Sequence, residues 1–182
     1  VIELQGRTML PGFIDPHVHP SIAASILPME IVSAMEWNTP SGKSVVVRSH
    51  AAFIDRLKEL DRSYADPSKP LLAWGYFKPY HGRLSRAELN KVSRTRPIVI
   101  WQRSAHEFYL NDAALEHFKI TEADFRKAPA YADYAEGHVF EAGLFVVTKS
   151  ILDYIGDPVQ YRKGLELMTK VLHKGGLTTV GE

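Results

Sequence analysis

Short apolar, β-prone runs alternate with amphipathic segments along this chain, and that alternation restricts its fold more than any other feature. Leu71-Leu72-Ala73-Trp74-Gly75-Tyr76-Phe77, Pro97-Ile98-Val99-Ile100-Trp101 and Leu177-Thr178-Thr179-Val180 have the length and composition of strands. Between them, residues 43–64 place Val46, Phe53, Leu57, Leu60 and Tyr64 at helical spacing, with Arg48, Asp55, Arg56, Lys58 and Glu59 facing outward. Asp66-Pro67 ends that helix. Ser85-Arg86-Ala87-Glu88 has the form of a capping box and starts a short one. Asn111 is placed to cap a helix running through Phe118. Asp157-Pro158 opens a further helix, with Tyr161, Leu165, Met168 and Leu172 on one face and Lys174-Gly175-Gly176 as its stop. Residues 119–140 are polar with little periodicity and read as an excursion. Strands alternating with helices in this way predict an α/β fold with a parallel sheet.

The N-terminal part carries the chemistry. Val1 to Gln5 alternates like a half-buried strand, and Gly6 supplies a turn. Phe13-Ile14-Asp15-Pro16-His17-Val18-His19 then reads as a short buried strand, followed by a loop through Pro20 and the small residues Ser21 to Ser25. Residues two apart in a strand point to one side, so His17 and His19 converge, about 7 Å apart at their Cα atoms. Two imidazoles so placed suit one borderline-soft divalent cation, zinc above all, although iron, manganese and nickel accept the same pair. Asp15 shares that face and is a candidate to accept a hydrogen bond from a ligand histidine. By spacing alone the pair is equally consistent with two solvated loop histidines.

The surrounding residues add a resemblance. The run Gly6-Arg7-Thr8-Met9-Leu10-Pro11-Gly12-Phe13-Ile14-Asp15-Pro16-His17-Val18-His19 resembles the opening of the amidohydrolase superfamily, where a strand of a small β-sandwich precedes a segment of the form G-x-x-x-x-P-G-x-I-D-x-H-x-H. The rest is similar to the YtcJ-like branch, amidohydrolase family 3. The similar segments are Trp74 to Phe77, Leu84 to Ser93, Pro97 to Trp101 with Ser104-Ala105-His106, the set Asn111, Ala114 and Leu115, and Gly175 to Val180. Ala105 stands where that branch usually has glycine. Gly137-His138-Val139-Phe140-Glu141-Ala142 resembles a segment near which superfamily members often supply a bridging metal ligand; Phe140 cannot ligate, which leaves Glu141 as the candidate. The resemblance implies His17 and His19 as metal ligands, Glu141 as a further one, and His106 as a catalytic residue that contacts substrate or stabilises charge on its carbonyl oxygen. A loop histidine bonded to backbone is the competing reading of His106. His50, His117 and His173 fall on predicted helices and His81 and His138 in loops; all five read as structural.

Implied with it are a partial (β/α)8 barrel of the metal-dependent hydrolase type over residues 12–182, an insertion around 119–140, and the end of a β-sandwich over residues 1–11. The implied reaction is metal-assisted hydrolysis of a C–N bond in a small-molecule amide or cyclic amide. A closed barrel needs about 200 residues or more. About four barrel strands are visible, and the later ligands of such enzymes are not. The expectation is therefore an N-terminal portion, inactive alone. The alternatives are a self-associating module, hence a homo-oligomer, or a ligand-binding relative without turnover.

Composition narrows the field further. Lys plus Arg (22) nearly cancel Asp plus Glu (21), so no basic field points to nucleic acid or an anionic membrane surface. No apolar run approaches the roughly 18 residues of a membrane span. There is no cysteine, which excludes disulfides and thiolate metal sites and fits a cytoplasmic protein.

Overall fold

The computed structural model describes residues 3–182, the side chain of Thr148 excepted. Its architecture divides at two places. The first strand, β1 (Phe13–Asp15), leads into helix α1 (Pro20–Ile26). Next come strand β2 (Glu30–Ile31), a hairpin of β3 (Asn38–Thr39) and β4 (Gly42–Lys43), helix α2 (His50–Ser63) and strand β5 (Leu71–Tyr76). Two short helices, α3 (Lys78–His81) and α4 (Arg86–Val92), precede strands β6 (Ile98–Gln102) and β7 (Glu107–Leu110). Helices α5 (Asp112–His117) and α6 (Glu122–Phe125) follow, then strands β8 (Ala132–Asp133) and β9 (His138–Phe140). The chain continues through α7 (Leu144–Val147), a π turn, α8 (Asp153–Ile155) and the long α9 (Pro158–Lys174) into β10 (Leu177–Val180).

Six strands form one sheet in the order β2-β5-β6-β7-β9-β8. The first three run parallel, while β7, β9 and β8 are antiparallel to their neighbours. The single parallel sheet expected from sequence is thus corrected to a mixed one. The reason is the connection from β6 to β7: four residues can turn a hairpin but cannot make a crossover to a parallel neighbour. Residues 119–140 also differ from expectation, since they supply α6, β8 and β9 to this sheet and bury Phe125 and Val139 in its core.

Both faces of the sheet are covered. Leu71, Ala73, Ile98 and Ile100 face α2 and α4, where Phe53, Leu57, Leu60 and Leu89 close the layer. The alternate residues, Trp74, Val99 and Trp101, pack with Phe108, Leu115, Phe118, Phe125 and Val147 on the other side. Burial on both faces explains why β5 and β6 read as continuous apolar runs. The helix predicted over residues 43–64 begins at His50, because Ser49 takes the cap and accepts from the Ala52 amide. Buried Arg96 joins the end of α2 to β5: its guanidinium donates to the Asp61 carboxylate at 2.6 Å and to four carbonyls, those of Asp61, Tyr64, Asp66 and Lys69.

Besides the β3–β4 hairpin, two strands stand apart from this sheet. β1 pairs in parallel only with β10, in register Phe13↔Leu177, Ile14↔Thr179 and Asp15↔Val180. Helix α1, leaving β1, lies along α9, which delivers β10. Here the packing differs from the predicted stripe. Gly164 and Met168 are the buried residues of α9, while Leu165 is 40% exposed, because the glycine lets the α1 backbone at Ala24 approach directly. Of the strand expected over Val1 to Gln5, Val1 and Ile2 lie outside the described residues, and Glu3 to Gln5 form a loop and turn.

Candidate metal centre and histidine–carboxylate pair

His17 and His19 emerge where β1 ends. Backbone pairing with the other strand runs on as far as the residue between them: Val18 N–H donates to Gly181 O and Gly181 N–H to Asp15 O, both at 2.9 Å. The two rings lie with centroids 5.0 Å apart, nearly edge to face at 77°. Both residues are exposed. Neither ring forms a hydrogen bond to another described residue. His19 is the N-cap residue of α1, yet its side chain does not cap the helix. Two adjacent imidazoles with free nitrogens fit a divalent transition metal and fill half of a tetrahedral shell. Among the described residues, no group of three or more His, Asp or Glu side chains is arranged to hold a metal ion.

Asp15 accepts a hydrogen bond from His17 through that residue's backbone. Its Oδ1 accepts from the backbone N–H of His17 at 3.1 Å, so it fixes the chain at the first histidine rather than a ring. The bond forms because a carboxylate two residues before an amide closes a local turn.

His106 and Glu141 are brought together elsewhere, at the junction of β7 and β9. The imidazole Nδ1 lies 3.1 Å from Glu141 Oε2, and the Glu141 amide donates to the His106 carbonyl at 3.0 Å. Both side chains are well exposed. Ala105 and Glu141 each adopt a left-handed backbone, at φ of 67° and 46°. Such conformations cost a non-glycine residue about 1 kcal/mol or more and are held only by their surroundings. For Ala105, the Trp101 indole N–H donating to its carbonyl at 3.0 Å is one such restraint. The carboxylate of Glu141 therefore meets His106, not the His17–His19 pair, in this structure.

His81, His138 and His50 are built into the scaffold. His81, expected in a loop, belongs to α3 and is fully buried. Its Nδ1 accepts from the Phe77 amide at 2.9 Å, which leaves the proton on Nε2, 2.9 Å from Val47 O. Burial holds its pKa below the ordinary histidine value. His138, also expected in a loop, lies in β9 with Nε2 2.9 Å from a Glu107 carboxylate oxygen that also accepts from Tyr109. His50 opens α2 and pairs with Glu88 at 2.7 Å. Sequence reasoning did not reveal the His81 role. A histidine followed by glycine at a helix end carries no burial signal of its own.

The sequence model of the amidohydrolase family matches residues 1–182. An exoenzymes regulatory protein, AepA, of Pectobacterium carotovorum subsp. carotovorum is 28% identical over 120 residues, covering 63% of this chain and 23% of that protein. An uncharacterized metal-dependent hydrolase of Pyrococcus horikoshii superposes with a TM-score of 0.60 at 23% identity, over 93% of this chain and 30% of its own. A second, from Pyrococcus furiosus, gives a TM-score of 0.60 at 21% identity, over 93% and 31%. The chain thus spans less than a third of the length of each of these relatives. Among the described residues no helix is long and apolar enough to cross a membrane.

Proposed function

From the premise that this chain belongs to the amidohydrolase family, we propose that it is the N-terminal part of a metal-dependent hydrolase that cleaves a C–N bond in a small-molecule amide or cyclic amide. The observation that carries this reading is the His17–His19 pair. Two unpartnered imidazoles stand side by side just past the C-terminal ends of the parallel strands β1 and β10, the side on which α/β folds assemble their sites. The β1–α1–α9–β10 unit is then the start of a (β/α)8 barrel, and residues 28–157 are a domain inserted into its first crossover. In this reading the insertion would begin earlier and be longer than the one expected around 119–140.

His17 and His19 would hold the cation, zinc in the first instance. A bound cation lowers the pKa of water and polarises a carbonyl. The chain's own residues do the rest of what is available here. Asp15 fixes the backbone at His17. The Glu141 carboxylate orients the well-exposed His106 ring through Nδ1, which leaves Nε2 for a substrate hydrogen bond. Glu141 as a direct ligand stays a proposal whose test is whether metal binding depends on it. Two imidazoles complete no tetrahedral site, so this chain by itself is expected to turn over little or no amide.

The deciding experiment is elemental analysis of the purified chain beside a His17→Ala/His19→Ala variant, repeated with Glu141→Gln. Transition metal near one equivalent, lost in the double variant, supports the reading. No metal in any of the three would sink it. A second reading, self-association, is favoured by the exposure of Met9 (75%), Leu10 (61%), Phe13 (52%) and Ile14 (70%) along β1 and the segment before it. A monomeric mass in light scattering would remove it.

A further inference from the structure

The side chain of Glu182, just past β10, reaches the start of α1. Ser21 donates to it twice, from its backbone N–H at 3.1 Å and from its hydroxyl at 2.5 Å. Ser21 is the second residue of α1, so its amide is one of the donors that a helix start leaves without an intrahelical partner. The N-cap side chain ordinarily satisfies such a donor. Here the N-cap residue is His19, and its imidazole forms no capping bond. A carboxylate from the neighbouring strand, 161 residues away in sequence, does that work instead.

We infer that Glu182 is a positioning residue for His19: by capping α1 in its place, it leaves the imidazole free to ligate and fixes the turn that carries it. The inference rests on the reading of His17 and His19 as metal ligands. The geometry gives it a specific form. Val18 and Gly181 are already joined by a backbone hydrogen bond, so the Ser21–Glu182 bonds close the same turn from its far side. His19 is then held between two anchored points, residues 18 and 21. Without Glu182, the natural partners for the Ser21 amide are water or the His19 ring itself, and a ring turned back onto the helix is lost to the metal. Supporting partners of this kind, one step removed from the ligands, typically change metal affinity by 10–100-fold.

The test is zinc affinity of the full chain, measured by competition with a colorimetric chelator, for the parent, Glu182→Ala, Glu182→Gln and Ser21→Ala. Thermal midpoints of the metal-free proteins are recorded in parallel. The expected result is a loss of roughly tenfold in Glu182→Ala, a smaller loss in Ser21→Ala, and recovery of most of the affinity in Glu182→Gln, which keeps an oxygen acceptor. The metal-free midpoints stay together, because the bonds are exposed and contribute little to global stability. Equal affinity in the parent and Glu182→Ala overturns the inference. So does a Glu182→Gln variant as weak as the alanine variant, since the effect would then be one of charge. A parent that binds no zinc removes the metal reading itself, and this inference with it.

Discussion

Gly164 of α9 lies directly against the carbonyl of Ala24 in α1, so that a Cβ at residue 164 would overlap the Ala24 backbone. This contact sets how closely the two helices approach, and through them how β1 sits on β10. Replacing Gly164 with alanine gains about 1 kcal/mol of helix propensity. It also forces the helices apart, and overpacking of this kind costs roughly 1–3 kcal/mol. The flexible ends of side chains can give way, but a backbone carbonyl cannot, so the clash decides the sign. The expected outcome is net destabilisation with weakened metal uptake at His17 and His19. A urea melt and a zinc titration of Gly164→Ala check it; a variant as stable as the parent would show that the helices do not constrain each other.

Arg96 supports the other body of the fold. All three guanidinium nitrogens are engaged, with the Asp61 carboxylate and four carbonyls as acceptors, and the residue is 2% exposed. Arg96→Ala leaves those acceptors unpaired and should cost roughly 3–5 kcal/mol. Arg96→Lys keeps the charge but lacks the fork of donors, so it is expected to recover only part of the loss. Chemical denaturation of the three proteins measures both steps.

His81 predicts a pH dependence. Burial is the main cause of its lowered pKa; the Val47 carbonyl acts in the opposite direction, and nearby His50 adds to the lowering. The folded state thus binds the proton less readily than the unfolded chain, whose histidine titrates near 6.5. By linkage, the contribution of this residue is present above that pH and is lost progressively as pH falls below it. His81→Gln should therefore flatten the decline in unfolding midpoint between pH 8 and pH 5. A parallel decline in parent and variant would assign the effect to other groups.

At Ala105, the left-handed backbone makes glycine the better residue on sterics alone. Glycine relieves about 1–2 kcal/mol of strain and adds about 0.5–1 kcal/mol of chain entropy, so Ala105→Gly is expected to stabilise by roughly 0.5–1 kcal/mol. The same change loosens the turn that holds His106 beside Glu141. Thermal unfolding reads the first effect. The imidazole nitrogen shifts of His106 in NMR read the second, and an unchanged His106–Glu141 signature would mean that the pairing does not depend on the turn.

Much of this was legible without coordinates. Continuous β-prone runs located strands β5, β6 and β10, helical spacing located α2 and α9, and cap residues located the starts of α4 and α5, because each is a matter of local preference. The caps at Asn111 and Asp157 were equally plain, since a cap is a contact between residues two or three apart. The histidine pair was visible for the same reason: its spacing and the segment around it are local facts that a sequence carries in full.

What the sequence could not carry were relations between distant residues. Which strands share a sheet is decided by tertiary packing, so nothing local announced that β1 would pair with β10 while six other strands formed their own mixed sheet. The length of the turn after β6 forced β7 antiparallel, but only once β7 was known to exist. The partner of Glu141 is His106, and the carboxylate that caps α1 comes from Glu182. Sequence patterns report which side of an element is buried. They do not report what buries it, because that contact is made only when the chain closes on itself.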